Sequence, residues 1–206
     1  MNDREVKLLV FDMGHVLIDF EWVSVCRQFA TAAGVSLDKF QVVLSRVATM
    51  GYETGRVDTR EFLSRLNELL GTDLGVAEFT RMWNHGFREN LEMSSLLTRL
   101  KGAYPLYLLS NTNENHYGFI QESFDVERHF DELILSYLVE CAKPDPAIYE
   151  HVMDRSGLSP SECLFVDDLE DNVRAARSVG MHAILFRGHS DLVEQFTRYG
   201  IEIEKP

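Results

Sequence analysis

A chain of 206 residues with 45% hydrophobic side chains can bury one large core, or a core that carries an insertion, and is too apolar to be disordered. Its formal charge of −13 speaks against nucleic acid or an anionic membrane as the main partner. No apolar run reaches the roughly 18 residues of a membrane span, residues 1–7 lack the apolar stretch of a signal peptide, and Cys26, Cys141 and Cys163 are spaced as reduced thiols of a cytoplasmic protein.

Residues 6–11, apolar from Leu8 onward, break into Asp12. That predicts a buried strand delivering one carboxylate to the edge of a sheet. Gly14 stands two positions further on. Residues 18–90 then change to helical spacing, with helices predicted over 23–33, 37–47, 59–70 and 76–83 and punctuated by Gly34, Gly51, Gly55 and Gly71. The α/β rhythm resumes near Glu92. Strands are predicted over 104–109, 133–139, 163–166 and 183–186, and helices over 92–100, 114–124, 147–155 and 172–179. Strands alternating with helices imply an α/β fold with a doubly wound parallel sheet covered on both faces. The division expected is an α/β core of residues 1–17 and 91–206, with a helical cap of residues 18–90 inserted after the first strand. An insertion there overhangs the carboxyl end of that strand and is placed to act as a lid.

Polar groups cluster at the strand ends: Asp12, Ser110-Asn111-Thr112, Lys143-Pro144-Asp145-Pro146 and Asp167-Asp168. In a doubly wound sheet such ends converge on one crevice. A carboxylate there serves as a nucleophile or a metal ligand. The Ser110 hydroxyl and the N–H groups of Asn111 and Thr112 suit a phosphoryl oxygen, while Ser110 is equally suited to capping the next helix. Lys143 precedes a proline and is expected to be extended. Asp145-Pro146 reads as an N-cap followed by the first helical residue. Lys143 would then lie just ahead of a helix, able to hold both a carboxylate and a phosphate. Adjacent Asp167 and Asp168 repel unless a cation offsets them. Mg²⁺ favours a few carboxylates with water and phosphate, and Asp12, Asp168 and the Gly14 carbonyl would form such a site. Asn172, in the following helical turn, is placed to orient the acidic ligand.

The motifs Phe11-Asp12-Met13-Gly14-His15-Val16-Leu17, Leu109-Ser110-Asn111-Thr112, Lys143-Pro144-Asp145-Pro146-Ala147-Ile148-Tyr149 and Phe165-Val166-Asp167-Asp168-Leu169-Glu170-Asp171-Asn172, in that order, resemble the haloacid dehalogenase-like (HAD) hydrolase superfamily over nearly the whole chain. The resemblance implies a Rossmann-like core with a C1-type cap, Mg²⁺ as cofactor and a phospho-aspartate intermediate. It carries the nucleophile to Asp12 and the phosphate grip to Ser110, Asn111 and Lys143. It carries the metal site to Asp12, Gly14, Asp167 and Asp168. The most similar members are bacterial alpha-D-glucose-1-phosphate phosphatases, whose second motif resembles residues 110–116. The implied partner is a small phosphorylated metabolite, and the implied assembly a monomer or homodimer.

Gly14 departs from the superfamily pattern. Most of its phosphatases have an Asp there that acts as general acid and then base, a contribution of roughly 10²–10⁴-fold. Its loss matters least when the leaving alcohol is acidic. A sugar 1-phosphate or another activated ester is therefore expected over an ordinary primary phosphate. His15, Asp19 and His116 are the nearest substitutes for the missing acid. Tyr52-Glu53-Thr54-Gly55-Arg56, between two cap helices, is expected to read the substrate through Glu53 and Gly55, with Trp22, Trp83 and His85 in the crevice wall. Two other readings compete. A 2-haloacid dehalogenase forming an ester on Asp12 needs no metal, which leaves the Asp167-Asp168 pair without a purpose. A phosphate-binding protein that lost turnover with Gly14 leaves the retained motifs without one.

Overall fold

The computed structural model describes residues 6–203, so the expectation for residues 1–7 lies mostly outside it. The strands are β1 (Leu8–Phe11), β2 (Ile18–Asp19), β3 (Arg88–Glu89), β4 (Leu106–Ser110), β5 (Glu132–Leu135), β6 (Cys163–Asp167) and β7 (His182–Leu185). The helices are α1 (Trp22–Ala32), α2 (Leu37–Ala48), α3 (Thr59–Leu70), α4 (Val76–Trp83), α5 (Leu91–Leu100), α6 (Glu114–Ser123), α7 (Ser136–Val139), α8 (Pro146–Ser156), α9 (Glu170–Ser178) and α10 (His189–Arg198).

Five strands form a parallel sheet in the order β5-β4-β1-β6-β7. β1 is central, with Leu9 in register with Leu106 on one side and Leu164 on the other. Side chains alternate between the faces. Leu9, Phe11, Leu108 and Val166 pack with Met93, Leu97 and Phe196 on one face. Leu8, Val10 and Phe165 pack with Ile148, Tyr149, Val152 and Val173 on the other. Both faces are therefore dry, which is why these strands read as continuous apolar runs. The chain builds outward from β1 first on one side and then on the other, so the crevice lies at the carboxyl ends of β1, β4 and β6.

The predicted doubly wound sheet and its helices are present, with three differences. The apolar run over 133–139 is a strand only to Leu135; Ser136–Val139 turn into a short helix. The buried Ser136 hydroxyl fixes that turn by accepting the Thr112 N–H at 2.9 Å. The ribbon β2–β3 was not predicted, because two residues show no periodicity. α10 adds a helix beyond the predicted ones, with buried Leu192 and Phe196 spaced i, i+4.

β2 and β3 pair antiparallel where the chain leaves and re-enters the α/β layer. Between them α1–α4 bury their own core, including Phe29, Phe40, Phe62, Leu66, Phe79 and Trp83. Ser36 and Asp58 cap α2 and α3 by accepting the N–H groups of Lys39 and Glu61. This helical layer docks on the sheet layer through α6 and α7. Thr59 donates its N–H and hydroxyl to Glu114 at 2.6 and 2.5 Å. Asn115 bonds Asn84 at 2.8 Å and Thr80 at 2.6 Å. His116 stacks on Trp83 with centroids 5.4 Å apart. Ser136 donates to the Glu53 carbonyl at 2.5 Å.

Gly55 has φ +68, and a Cβ there would lie 2.1 Å from the Tyr137 carbonyl oxygen. Gly55→Ala is expected to lose about 1–2 kcal/mol from the left-handed backbone and more from this clash. Gly34→Ala, at φ +63 with open space around it, should lose the backbone share alone. Urea midpoints compare the two, and equal losses would show that the loop does not depend on its contact with α7. Burial pushes the His116 imidazole down to about 4, against an opposing pull from the Trp83 backbone. An unfolded histidine takes up its proton near 6.5, so the stability from neutral His116 is complete above that pH and lost as pH falls toward 4. Melting temperatures at pH 7 and pH 5 should separate less in His116→Gln than in the wild type. An unchanged separation would show that His116 is not the titrating group.

Candidate active site

Asp12 directly follows β1 and is buried, its N–H donating to the Val166 carbonyl at 2.9 Å. Lys143 reaches it from the loop before α8. Its ammonium is held at 2.6 Å by Asp12 Oδ1, at 2.8 Å by Asp167 Oδ2 and at 2.8 Å by the Leu109 carbonyl. An ammonium has three protons to donate, and each has an acceptor here. Burial alone would lower the lysine, but the charges of Asp12 and Asp167 outweigh it and hold Lys143 above its ordinary value. The backbone of Lys143 is fixed as well. Asn111 Nδ2 donates to its carbonyl and Asn111 Oδ1 accepts its N–H, both at 2.8 Å. Asp145 caps α8 at Ala147, with Pro146 at its start, as predicted; the Lys143–Pro144 peptide is cis.

Asp167 ends β6 and is wholly buried. Besides Lys143 it accepts the Leu169 N–H at 2.8 Å and the Asn172 amide at 3.0 Å on both oxygens. Asn172 therefore orients this acid. Asp168 is half-buried beside it. Burial raises its carboxyl, the charge of Asp167 raises it further, and His15 and Lys143 pull the other way. Burial also raises Asp12, to about 7, with Lys143 opposing and Asp167 reinforcing. Three carboxylates thus face one ammonium. One oxygen from each of Asp12, Asp167 and Asp168 lies within 4.8 Å of the others. A hard, all-oxygen donor set of this charge fits Mg²⁺.

Ser110 is buried at the end of β4, and among the described residues its hydroxyl makes only a 3.4 Å contact with the Asn111 carbonyl. It does not cap α6. Asn113 does, accepting the His116 N–H at 3.0 Å. The Thr112 N–H, expected to face phosphate, is taken by Ser136. Gly14 does not adopt a left-handed backbone; His15 does, at φ 53, with its ring stacked 4.3 Å from Phe20. The chain path therefore does not require glycine at 14. A Cβ there would meet the Phe20 ring at an ordinary 3.5 Å.

A cavity of about 460 Å³ rises from Gly14, Ser110 and Asn111 into the helical layer. Trp22, Trp83 and Glu53 line it as expected, together with His116. Glu53 is exposed, and partial desolvation pushes its carboxyl up. Gly55, expected to touch substrate, does not line the cavity; it backs onto Tyr137 instead. Asp19 and His85 are likewise outside the lining. His116 lines it, but burial keeps its ring neutral near pH 7 and its Nε2 is sealed from solvent. Sequence reasoning missed Ser136, which ties Thr112 to the Glu53 loop, and Phe20 and Phe87, which flank the short ribbon. Only the polar Ser136 at the end of an apolar run offered a signal.

The sequence matches the haloacid dehalogenase-like hydrolase family over residues 6–180. It is 29% identical to D-ribitol-5-phosphate phosphatase of Bacteroides thetaiotaomicron, across 93% of this chain and 97% of that protein. It is 30% identical to a sesquiterpene phosphatase of Aspergillus oryzae, across 85% of this chain and 87% of that one. The crystal structure of a HAD family enzyme from Bacteroides thetaiotaomicron superposes with a TM-score of 0.85 at 28% identity, over 93% of this chain and 98% of that one. A further structure of that enzyme, superposing at 0.81, is a complex with magnesium and inorganic phosphate. No helix among the described residues is long and apolar enough to cross a membrane. With its motifs gathered at one sheet edge and a match spanning most of its length, the chain belongs to the haloacid dehalogenase-like hydrolase family.

Proposed function

We propose that the chain is a Mg²⁺-dependent phosphatase of a small phosphorylated metabolite, with Asp12 as its nucleophile. The observation that carries this is the charge count around Lys143. One ammonium binds Asp12 and Asp167, and Asp168 lies beside them with no salt bridge of its own among the described residues. A dehalogenase needs no such surplus. Asp12, Asp168 and the Gly14 carbonyl would hold Mg²⁺, with Asp167 behind them. Bound there, the ion offsets the carboxylates and the charge on the phosphoryl oxygens.

Lys143 fixes Asp12 through Oδ1, leaving Oδ2 to attack phosphorus. The new Asp12 O–P bond forms as the bond from phosphorus to the alcohol oxygen breaks. Charge on the phosphoryl oxygens meets the Ser110 hydroxyl as a donor and the Lys143 ammonium as a nearby charge, since its three protons are already engaged. Water then attacks the phosphorus of the aspartyl phosphate, restoring Asp12 and releasing inorganic phosphate. Gly14 offers no proton, so the alcohol takes its proton from water and the reaction favours acidic alcohols. A sugar 1-phosphate is one such ester. The phosphatases it resembles support a phosphate monoester while differing in the alcohol. Residues 18–90 act as the cap, a reading supported by the β2–β3 ribbon and the separate helical core. Three free cysteines fit the reducing cytoplasm, and a monomer or homodimer suffices, since one chain supplies every group named.

With Mg²⁺ present, Asp12→Asn is expected to lower phosphate release from phenyl phosphate by about 10³-fold or more. Chelation should abolish the wild-type rate and added Mg²⁺ should restore it. Equal rates in wild type and Asp12→Asn would refute the enzyme reading, and chelator-resistant release of halide from 2-chloropropionate would support the dehalogenase instead. Gly14→Asp is expected to raise hydrolysis of benzyl phosphate, which has a poor leaving group, by about 10²-fold with little change on phenyl phosphate. A uniform change on both would show that the missing acid is not limiting.

A further inference from the structure

We infer that the alcohol half of the substrate is an uncharged, apolar, ring-bearing group rather than a polyol. This rests on the phosphatase reading and narrows it. The cavity above Gly14 and Ser110 has a nearly unbroken aromatic wall. Phe20 and Phe87 have centroids 5.2 Å apart, Phe87 and His116 5.1 Å, His116 and Trp83 5.4 Å, and Trp83 and Trp22 5.0 Å. α2 supplies another wall through Gln41, Leu44, Ser45 and Ala48, spaced i, i+3, i+4, i+7 and hence on one helix face. Aromatic faces of this kind stack on flat or ring-shaped apolar groups.

The charges in the lining point the same way. No lysine or arginine lines the cavity among the described residues, so nothing there would hold a second phosphate or a carboxylate. Glu53 is the one carboxyl in the lining among the described residues, and it is exposed to solvent.

Most of the polar groups are already engaged. Both ends of the Asn111 amide bind Lys143. Asn113 Oδ1 accepts the His116 N–H, and its Nδ2 faces His116 Nδ1 at 3.4 Å. The Tyr52 hydroxyl bonds Thr59 at 2.8 Å. Ser45 donates its hydroxyl to the Val42 carbonyl at 2.9 Å. Trp83 Nε1 and His116 Nε2 have no partner among the described residues but are sealed from solvent, so Gln41 and Glu53, both exposed, and the Ser110 hydroxyl remain. A buried polyol would leave several hydroxyls without partners, each at a cost, whereas a hydrocarbon ring leaves none. The volume of about 460 Å³ lies within the range of small-molecule sites and accommodates a two-ring group. Gly14 contributes by absence, because no side chain there stands between Asp12 and the Phe20 face.

Binding of phosphonates tests this without turnover. In the presence of Mg²⁺, calorimetry would compare naphthylmethylphosphonate, methylphosphonate and the phosphonate analogue of glucose 1-phosphate. The naphthyl compound is expected to bind at least tenfold more tightly than either of the others. Ala48→Trp, which fills the α2 wall, should erase that preference. Val42→Trp, on the same helix but outside the lining, should keep it. Binding of the sugar phosphonate as tightly as the naphthyl compound in the wild type would overturn the inference, whatever the variants do. Acetyl phosphate, which has no bulky group to read, tests the underlying reaction separately. Its hydrolysis without the naphthyl preference would sink the substrate class alone, and the preference without its hydrolysis would sink the phosphatase reading alone.

Discussion

The site depends on one buried ammonium. Lys143 joins three strand ends: Asp12 after β1, the Leu109 carbonyl near the end of β4 and Asp167 at the end of β6. Burying these charges is expensive, and losing one partner of such a cluster commonly costs about 3–5 kcal/mol. The arrangement persists because every neighbour is over-determined. Asn111 fixes the Lys143 backbone from both sides, Asn172 and the Leu169 N–H fix Asp167, and Asp145 starts the helix that follows. The same contacts that hold the three strand ends together also aim Asp12. Here fold stability and chemistry share their atoms.

Gly14 sets the character of what happens above that cluster. The backbone does not need a glycine there, since the left-handed position belongs to His15. Its effects are the loss of a proton donor and the opening of space toward Phe20. An ester with an acidic alcohol tolerates the first, and an apolar ring uses the second. A phenolic ester satisfies both. The helical layer then closes the cavity through polar contacts made by three consecutive residues of α6, Glu114, Asn115 and His116. Those residues follow Ser110 by four to six positions, so the docking of the helical layer is built beside it.

Much of this was legible in the sequence, and for physical reasons. A strand buried on both faces must be apolar throughout, so Leu8–Phe11 and Cys163–Asp167 stand out, and any carboxylate ending such a run is conspicuous. Asp12, Lys143, Asp167 and Asn172 fall where those patterns put them. The amphipathic helices of residues 18–90 were equally plain. What stayed hidden depends on tertiary pairing. Ser136 stops a strand because Thr112 lies opposite it, and nothing local says so. Ser110 and Asn113 are both good caps by type, and only the chain path assigns the cap to Asn113. Gly55 resembles a flexible loop tip, yet its lack of a side chain is what lets Tyr137 approach. Phe20 and Phe87 flank a ribbon of two-residue strands, too short to carry a period.

The central claim is that Asp12 carries the phosphoryl group. Without a general base at position 14, attack of water on the aspartyl phosphate is also slowed, so the intermediate should accumulate during turnover. The direct measurement is an acid quench of the Mg²⁺-loaded protein turning over acetyl phosphate with a radiolabelled phosphoryl group, followed by peptide mapping. The account predicts a hydroxylamine-labile label on the peptide that contains Asp12. Release of phosphate with label on another residue, or with none on the protein, would contradict it.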